Sequence, residues 1–150
     1  MARILVASDA PSVRHAIASI TRGAGVDVIE AHSGPDVVRM VHDDPPDLVL
    51  VDMQMGNMGG MAVCLELRLE ESYHDVPHVP VLMLLDRRPD VFLARRSSAE
   101  GWLVKPLDAL RVRRATRALL AGQTYYDESY QPVPVLVGSP QPSLPGASLG

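Results

Sequence analysis

Hydrophobic residues fall along the chain in short runs set between turns rich in Gly, Pro, Ser and Asp, and the runs alternate between two periods. Residues 3–7 (RILVA) are apolar and β-branched and end at Ser8-Asp9, which predicts a buried strand. Pro11 and Ser12 open a stretch in which Val13, Ile17 and Ile20 have helical spacing, closed by Gly23 and Gly25. Residues 26–31 (VDVIEA) alternate as a half-buried edge strand does. Ser33-Gly34-Pro35-Asp36 starts a second helix through Val37, Val38 and Val41, which stops before Pro45-Pro46. Residues 48–53 (LVLVDM) are nearly all apolar, as in a central parallel strand covered on both faces. A glycine-bearing loop over 54–60 leads to a helix carrying Met61, Leu65 and Leu69, with Val63 and Leu67 beside them. A fourth strand is expected over 79–85 and a fourth helix over 89–99. A short fifth strand over 102–104 and a final amphipathic helix over 108–120, with Leu110, Val112 and Leu119 inward, complete the pattern.

Five β-then-α units in succession predict a parallel sheet with helices on both faces, because each crossover is right-handed. The arrangement expected is the α/β flavodoxin-like (βα)5 doubly wound sheet, strand order 2-1-3-4-5. Five units are too few for an eight-fold barrel. The periodic pattern ends at Ala121, so the reading is one domain over 1–121 and a tail over 122–150. The last stretch holds Pro132, Pro134, Pro140, Pro142 and Pro145 among Ser and Gly and reads as extended or disordered chain, too short for a separate DNA-binding domain.

Composition narrows the class. The chain has 150 residues, 47% hydrophobic and 21% charged, long enough to bury a core. Aromatics are few, so Val, Leu, Ile, Ala and Met must fill it. Cys64 is the lone cysteine, which excludes an internal disulfide; its helical position reads as an inert hydrophobe. The first apolar run is too short for a signal segment, and no run approaches the roughly 18 apolar residues of a membrane span. A cytoplasmic protein is expected. The net charge of −4 hides an asymmetry: residues 85–120 carry +5, leaving −9 elsewhere. One face should therefore have its own electrostatic task.

In an open α/β sheet, sites form beyond the carboxyl ends of the strands, where strand order reverses. Strand one ends at Ser8-Asp9, strand three at Asp52-Met53-Gln54, strand four at Leu85-Asp86 and strand five at Lys105-Pro106. Two close aspartates repel unless a cation joins them. Asp9, Asp52 and a backbone carbonyl offer hard oxygens for Mg²⁺, with water completing the shell. A lysine opposite suits a phosphoryl group. An aspartate so placed can attack a phosphoryl donor and become an acyl phosphate.

The stretches ILVASD, LVLVDMQMGNMGGM, VPVLMLL and GWLVKPLD resemble the receiver domains of bacterial two-component response regulators over residues 2–120. That resemblance implies Asp52 as phosphoacceptor, Lys105 as phosphate partner, and Mg²⁺ held by Asp9, Asp52 and the carbonyl of Gln54. It also implies a cis Lys105–Pro106 bond and Trp102 as the aromatic of the switch. Three departures accompany it. Ser8 stands where receivers usually have a second acid, so it can reach the metal only weakly, through water. Leu85 stands where the family has the Thr or Ser that bonds the phosphoryl oxygen. Gly56 stands where a proline is usual.

The first functional expectation is a single-domain receiver, not an enzyme, phosphorylated by a histidine kinase or a small phosphodonor. It would signal by docking a protein partner, or a second copy, through the basic 85–120 face. Its rival is a pseudo-receiver, an interaction module that works without phosphorylation; Ser8 and Leu85 favour it. A flavin or nucleotide enzyme on the same fold needs a donor-rich loop after strand one, and Ser8-Asp9-Ala10-Pro11-Ser12 lacks one. Sequence-specific DNA reading is not expected, because no helix-turn-helix is present and the remainder is acidic. His74 and His78 are four apart, but Pro77 lies between them and no further ligand pattern completes a metal site.

Overall fold

The computed structural model describes residues 1–22 and 25–128; the Pro-rich stretch read as a tail lies outside them beyond Glu128. Period-two alternation in the strands decides which helices go where. Ile4 and Val6 point to one side of the sheet with Leu48, Leu50, Leu82, Leu84 and Leu103, while Leu5, Val49, Val51, Met83 and Leu85 point to the other. Apolar side chains on both faces demand helices on both, and the described residues supply five.

The elements are β1 (Ala2–Ala7), α1 (Pro11–Thr21), β2 (Val26–Ala31), α2 (Gly34–Asp43), β3 (Leu48–Asp52) and α3 (Gly60–His74). They continue as β4 (Val81–Leu85), α4 (Asp90–Arg96), β5 (Gly101–Val104), α5 (Ala109–Leu120) and β6 (Tyr125–Tyr126). The sheet order is β2-β1-β3-β4-β5-β6, all parallel, which is the expected doubly wound order with a sixth strand added beyond β5. Helices α1 and α5 cover the Leu50 face. Helices α2, α3 and α4 cover the Val51 face. Among the described residues no helix is long and apolar enough to cross a membrane.

Local chemistry sets the element ends. Ser33 caps α2 by accepting from the Asp36 N–H, and Asp108 caps α5 by accepting from the Arg111 N–H. Pro80 has no N–H to give the ladder, so β4 pairs from Val81, although the Pro80 carbonyl still accepts from Val49 N–H and Val79 is buried. Helix α4 is shorter than the pattern suggested, running from Asp90 to Arg96 with Ser98 in the left-handed region.

Two expected faces are turned. Leu110 is 57% exposed, not inward, because the buried stripe of α5 is Val112, Ala115, Thr116 and Leu119, and Leu110 lies about 200° round from Val112. In α3 the core stripe is Val63, Cys64 and Leu67, whereas Leu65 and Leu69 are nearly half exposed. Both series on α3 are apolar at helical spacing, and only tertiary contact chooses between them.

The sheet also continues where the periodic pattern stops. Gly122 adopts φ +80, and the chain then returns so that Tyr125 N–H donates to Glu100 O and Asp127 N–H to Trp102 O. Gly101 makes this approach possible: a Cβ there would lie 2.6 Å from the Tyr125 carbonyl oxygen.

Cys64 is fully buried, with Sγ 3.1 Å from the Ser97 carbonyl oxygen. Burial pushes its thiol above the ordinary value, and neither the Arg68 charge nor the Ser97 hydrogen bond reverses that. Thiol reagents are therefore expected to label Cys64 at least about tenfold more slowly in the native chain than in urea. Equal rates in a timed labelling experiment contradict this packing.

Candidate functional site

Strand register brings the carboxyl ends of β1, β3, β4 and β5 to one rim. Ala7 pairs with Val51, Asp52 with Leu84, and Leu85 with Val104, so Ser8, Asp52, Asp86 and Lys105 emerge side by side. Asp52 is the last residue of β3, its side chain only 3% exposed. A carboxylate so withdrawn from water needs compensating partners, and it has them. Lys105 Nζ donates to Asp52 Oδ1 at 2.9 Å and to Oδ2 at 3.1 Å, and Ser8 Oγ donates to Oδ2 at 2.9 Å. The Ser8 hydroxyl is fixed in turn by accepting from the Ala10 N–H.

The turn after β1 is held from beneath. Arg14 on α1 donates to the Ser8 carbonyl at 2.7 Å and to Glu30 Oε1 of β2 at 3.1 Å. Asp9, exposed on the rim, accepts from the Gly56 N–H at 3.0 Å and so joins the β1–α1 turn to the β3–α3 loop. Gln54 lies in that loop, two residues past Asp52, with its side chain exposed. Gly60 packs α3 tightly behind the site, since a Cβ there would meet the Asp52 carbonyl oxygen at 2.9 Å.

Leu85 ends β4 fully buried in the cluster shared with Val104 and Trp102, and it offers Asp52 no hydroxyl. Its carbonyl accepts from Lys105 N–H. The Lys105–Pro106 peptide is cis. Trp102 is 2% exposed, stacked on Tyr126 with ring centroids 4.4 Å apart, and the Arg95 guanidinium of α4 lies 5.3 Å from its ring centre. Its indole N–H is buried with no partner among the described residues.

The expected residues Ser8, Asp52 and Lys105 thus converge in direct contact, Asp9 stands on the same rim, and Leu85 and Trp102 line the strands behind it. His74 and His78 turn to different carboxylates, His74 to Glu70 and His78 to Glu71 and Glu100. Sequence reasoning missed Asp86 as a member of the site: its Oδ1 lies 2.9 Å from Lys105 Nζ, so the lysine bridges two carboxylates. The signal was there, an acid just past a strand end, the same signal that marked Asp9.

Burial alone would lower the Lys105 ammonium, but the hydrogen bonds and charges of Asp86 and Asp52 outweigh it and raise the group above its usual value. The oxygens that could hold a divalent ion are those of Asp9 and Asp52. They are hard donors of the kind Mg²⁺ takes, and Ser8 adds a neutral oxygen whose hydrogen already points at Asp52. The donor set fits a weakly held Mg²⁺ with most of its shell water. Among the described residues no group of three His, Cys, Asp or Glu is arranged to hold a metal.

Known proteins that resemble this chain share its family and fold. Residues 4–117 match the family model of the response regulator receiver domain. PilH of Pseudomonas aeruginosa is 29% identical over 122 residues, covering 81% of this chain and all of PilH. The DNA-binding response regulator MtrA of Mycolicibacterium smegmatis is 32% identical over 79% of this chain, which spans only half of MtrA. Among solved structures, the signal receiver domain of a signal transduction histidine kinase from Syntrophus aciditrophicus superimposes with a TM-score of 0.71 at 25% identity, covering 81% of this chain and 92% of that one. Chemotaxis protein CheY4 of Vibrio cholerae shares the fold, with a TM-score of 0.69 at 24% identity over 79% of this chain and 98% of its own.

Because the folded-state value of Lys105 is raised, its pairing contributes fully below the ordinary lysine range and is lost as pH rises through the raised value. Asp86→Asn should bring that value down while leaving the lysine cationic at neutral pH. An NMR titration of the lysine side-chain signals checks this, and an unmoved titration contradicts the bridging role of Asp86.

Proposed function

We propose that this chain, which belongs to the response regulator receiver domain family, accepts a phosphoryl group on Asp52 and signals by docking a protein partner. Receiver domains are the phosphoacceptor modules of two-component signalling. What supports the residue assignment most is the nearly buried Asp52 carboxylate gripped by Lys105 and oriented by Ser8.

The step is an in-line displacement. A carboxylate oxygen of Asp52 attacks phosphorus, the P–N or P–O bond of the donor breaks with its electron pair, and the leaving group takes up a proton. Oδ2 is held by Ser8 and Lys105 and Oδ1 by Lys105 alone, so Oδ1 has the greater freedom to bond phosphorus. Lys105 then follows charge from the carboxylate to the phosphoryl oxygens. Asp9, Asp52 and the Gln54 carbonyl are the residues that would hold Mg²⁺, which when bound neutralises phosphoryl charge. With Ser8 in place of a second acid, that affinity is low.

The donor is a histidine kinase or a small phosphorylated compound. Docking uses the basic side formed by α4, β5 and α5. There Arg88, Arg96 and Arg114 have no ion-pair partner among the described residues, while Arg113 and Arg117 lie round the helix on the α1 side, beside Ile20, Thr21 and Arg22. A partner with an acidic surface, or a second copy, suits that face. A pseudo-receiver is the second reading, and Asp86 favours it, because this carboxylate already occupies the lysine a phosphoryl group needs.

Incubation with Mg²⁺ and a small phosphodonor, read by intact mass with Asp52→Asn as control, separates the two. An adduct on the wild type and not on the variant supports the receiver; no adduct from either the donor or a cognate kinase supports the pseudo-receiver. In the adduct-forming case, Leu85→Thr should enlarge the phosphorylation-dependent change in Trp102 fluorescence. An unchanged response contradicts the role given to the missing hydroxyl.

A further inference from the structure

The grip on Lys105 extends beyond its ammonium group. Arg111, on the first turn of α5, donates to the carbonyls of both neighbours of Lys105, to Val104 O at 3.1 Å and to Pro106 O. The same guanidinium pairs with Asp127, the residue following β6, and with the cap residue Asp108. Asp127 has a side chain only 2% exposed and also accepts from the Val104 N–H at 2.9 Å. One ion pair therefore brackets the backbone that carries Lys105 and anchors the last described strand. Tyr126, one residue earlier, stacks on Trp102 and covers the β5 edge.

This arrangement is built, not incidental. The strand approaches only because residue 101 is glycine. A carboxylate as buried as Asp127 needs compensating donors, and the Arg111 guanidinium and the Val104 N–H are among them. At the far end of the same short path, Lys105 Nζ holds Asp52 and Asp86.

We propose that the Tyr125–Asp127 segment is an intramolecular ligand of the β5 edge, and that the Arg111–Asp127 clasp couples its attachment to the placement of Lys105. Arg111 and Asp127 are positioning residues for Lys105. When Lys105 changes partners, the clasp loosens and the strand leaves; when the strand is held, Trp102 and the β5 edge are closed to any other partner. This rests on the phosphoryl-acceptor reading only for what moves Lys105 in the cell. The linkage itself belongs to the unphosphorylated chain.

The test uses the full chain without any phosphodonor. Asp127→Asn removes the charge and keeps the shape. It should speed hydrogen exchange at the amides of residues 125 and 127 by about tenfold or more, as loss of a charged hydrogen bond does. It should also open Trp102 to acrylamide quenching and displace the Lys105 side-chain NMR signals. Because linkage is reciprocal, Lys105→Met should speed exchange at the same two amides. Tyr126→Ala, which leaves every member of the clasp intact, should loosen the strand and shift the Lys105 signals in the same direction. Faster exchange with Lys105 signals unmoved, and wild-type exchange in Lys105→Met, reduce the strand to passive packing and overturn the proposal. Unchanged exchange in Asp127→Asn overturns it as well. If Asp52 takes no phosphoryl group these readouts still decide the linkage, and if the linkage fails the acceptor assignment stands unharmed.

Discussion

A carboxylate at the end of the central strand, nearly out of reach of water, is the constraint around which the rest of this structure is arranged. Leaving the Asp52 charge unpaired there would cost several kcal/mol. Lys105 must therefore reach it, which requires β5 to end level with β3. Ser8 must present its hydroxyl, which requires the β1–α1 turn that Arg14 holds through the Ser8 carbonyl. The parallel order β1-β3-β4-β5 brings both partners to one rim, Ser8 from the strand beside β3 and Lys105 from beyond β4.

That arrangement departs from the family pattern at the points where charge and hydrogen bonding would respond to a phosphoryl group. Ser8 lowers the negative charge beside Asp52 and gives it a donor instead. Asp86 raises the negative charge beside Lys105. Ser8 and Asp86 lie on opposite sides of Asp52, the one donating to its carboxylate and the other sharing its lysine. Leu85 makes β4 more apolar and seals its end into the core with Val104 and Trp102.

Much of this was legible in the sequence, because buried parallel strands read as continuous apolar runs and their ends are marked by polar residues. All five expected strands and five helices are present, and the strand ends placed Asp9, Asp52 and Lys105 on one rim. What was not legible depends on contacts between distant segments. The inward face of α3 is ambiguous when Met61, Leu65 and Leu69 compete with Val63, Cys64 and Leu67. Leu110 is apolar but faces water, since helix rotation is set by packing at Val112 and Leu119. The two-residue strand at Tyr125 and Tyr126 is too short to carry a period. Its stability comes from Asp127 meeting Arg111, sixteen positions earlier in the chain, and no local pattern announces that pair.

Magnitudes indicate which route a signal could take when the hydroxyl at position 85 is absent. A hydroxyl bonded to a phosphoryl anion contributes about 1.5–3 kcal/mol net. A unit charge at 4 Å from another interacts by about 4 kcal/mol at the effective dielectric of a protein surface. Converting the Asp52 carboxylate to a phosphoryl dianion adds a negative charge beside Lys105 and Asp86, so the larger force acts on the lysine and not on the end of β4. Lys105 is joined through its own backbone to Arg111, and through Arg111 to Asp127 and the strand that covers Trp102. A path of charge and backbone contacts therefore runs from Asp52 to the β5 edge without passing through residue 85, and Leu85 blocks the hydroxyl route while leaving this one intact.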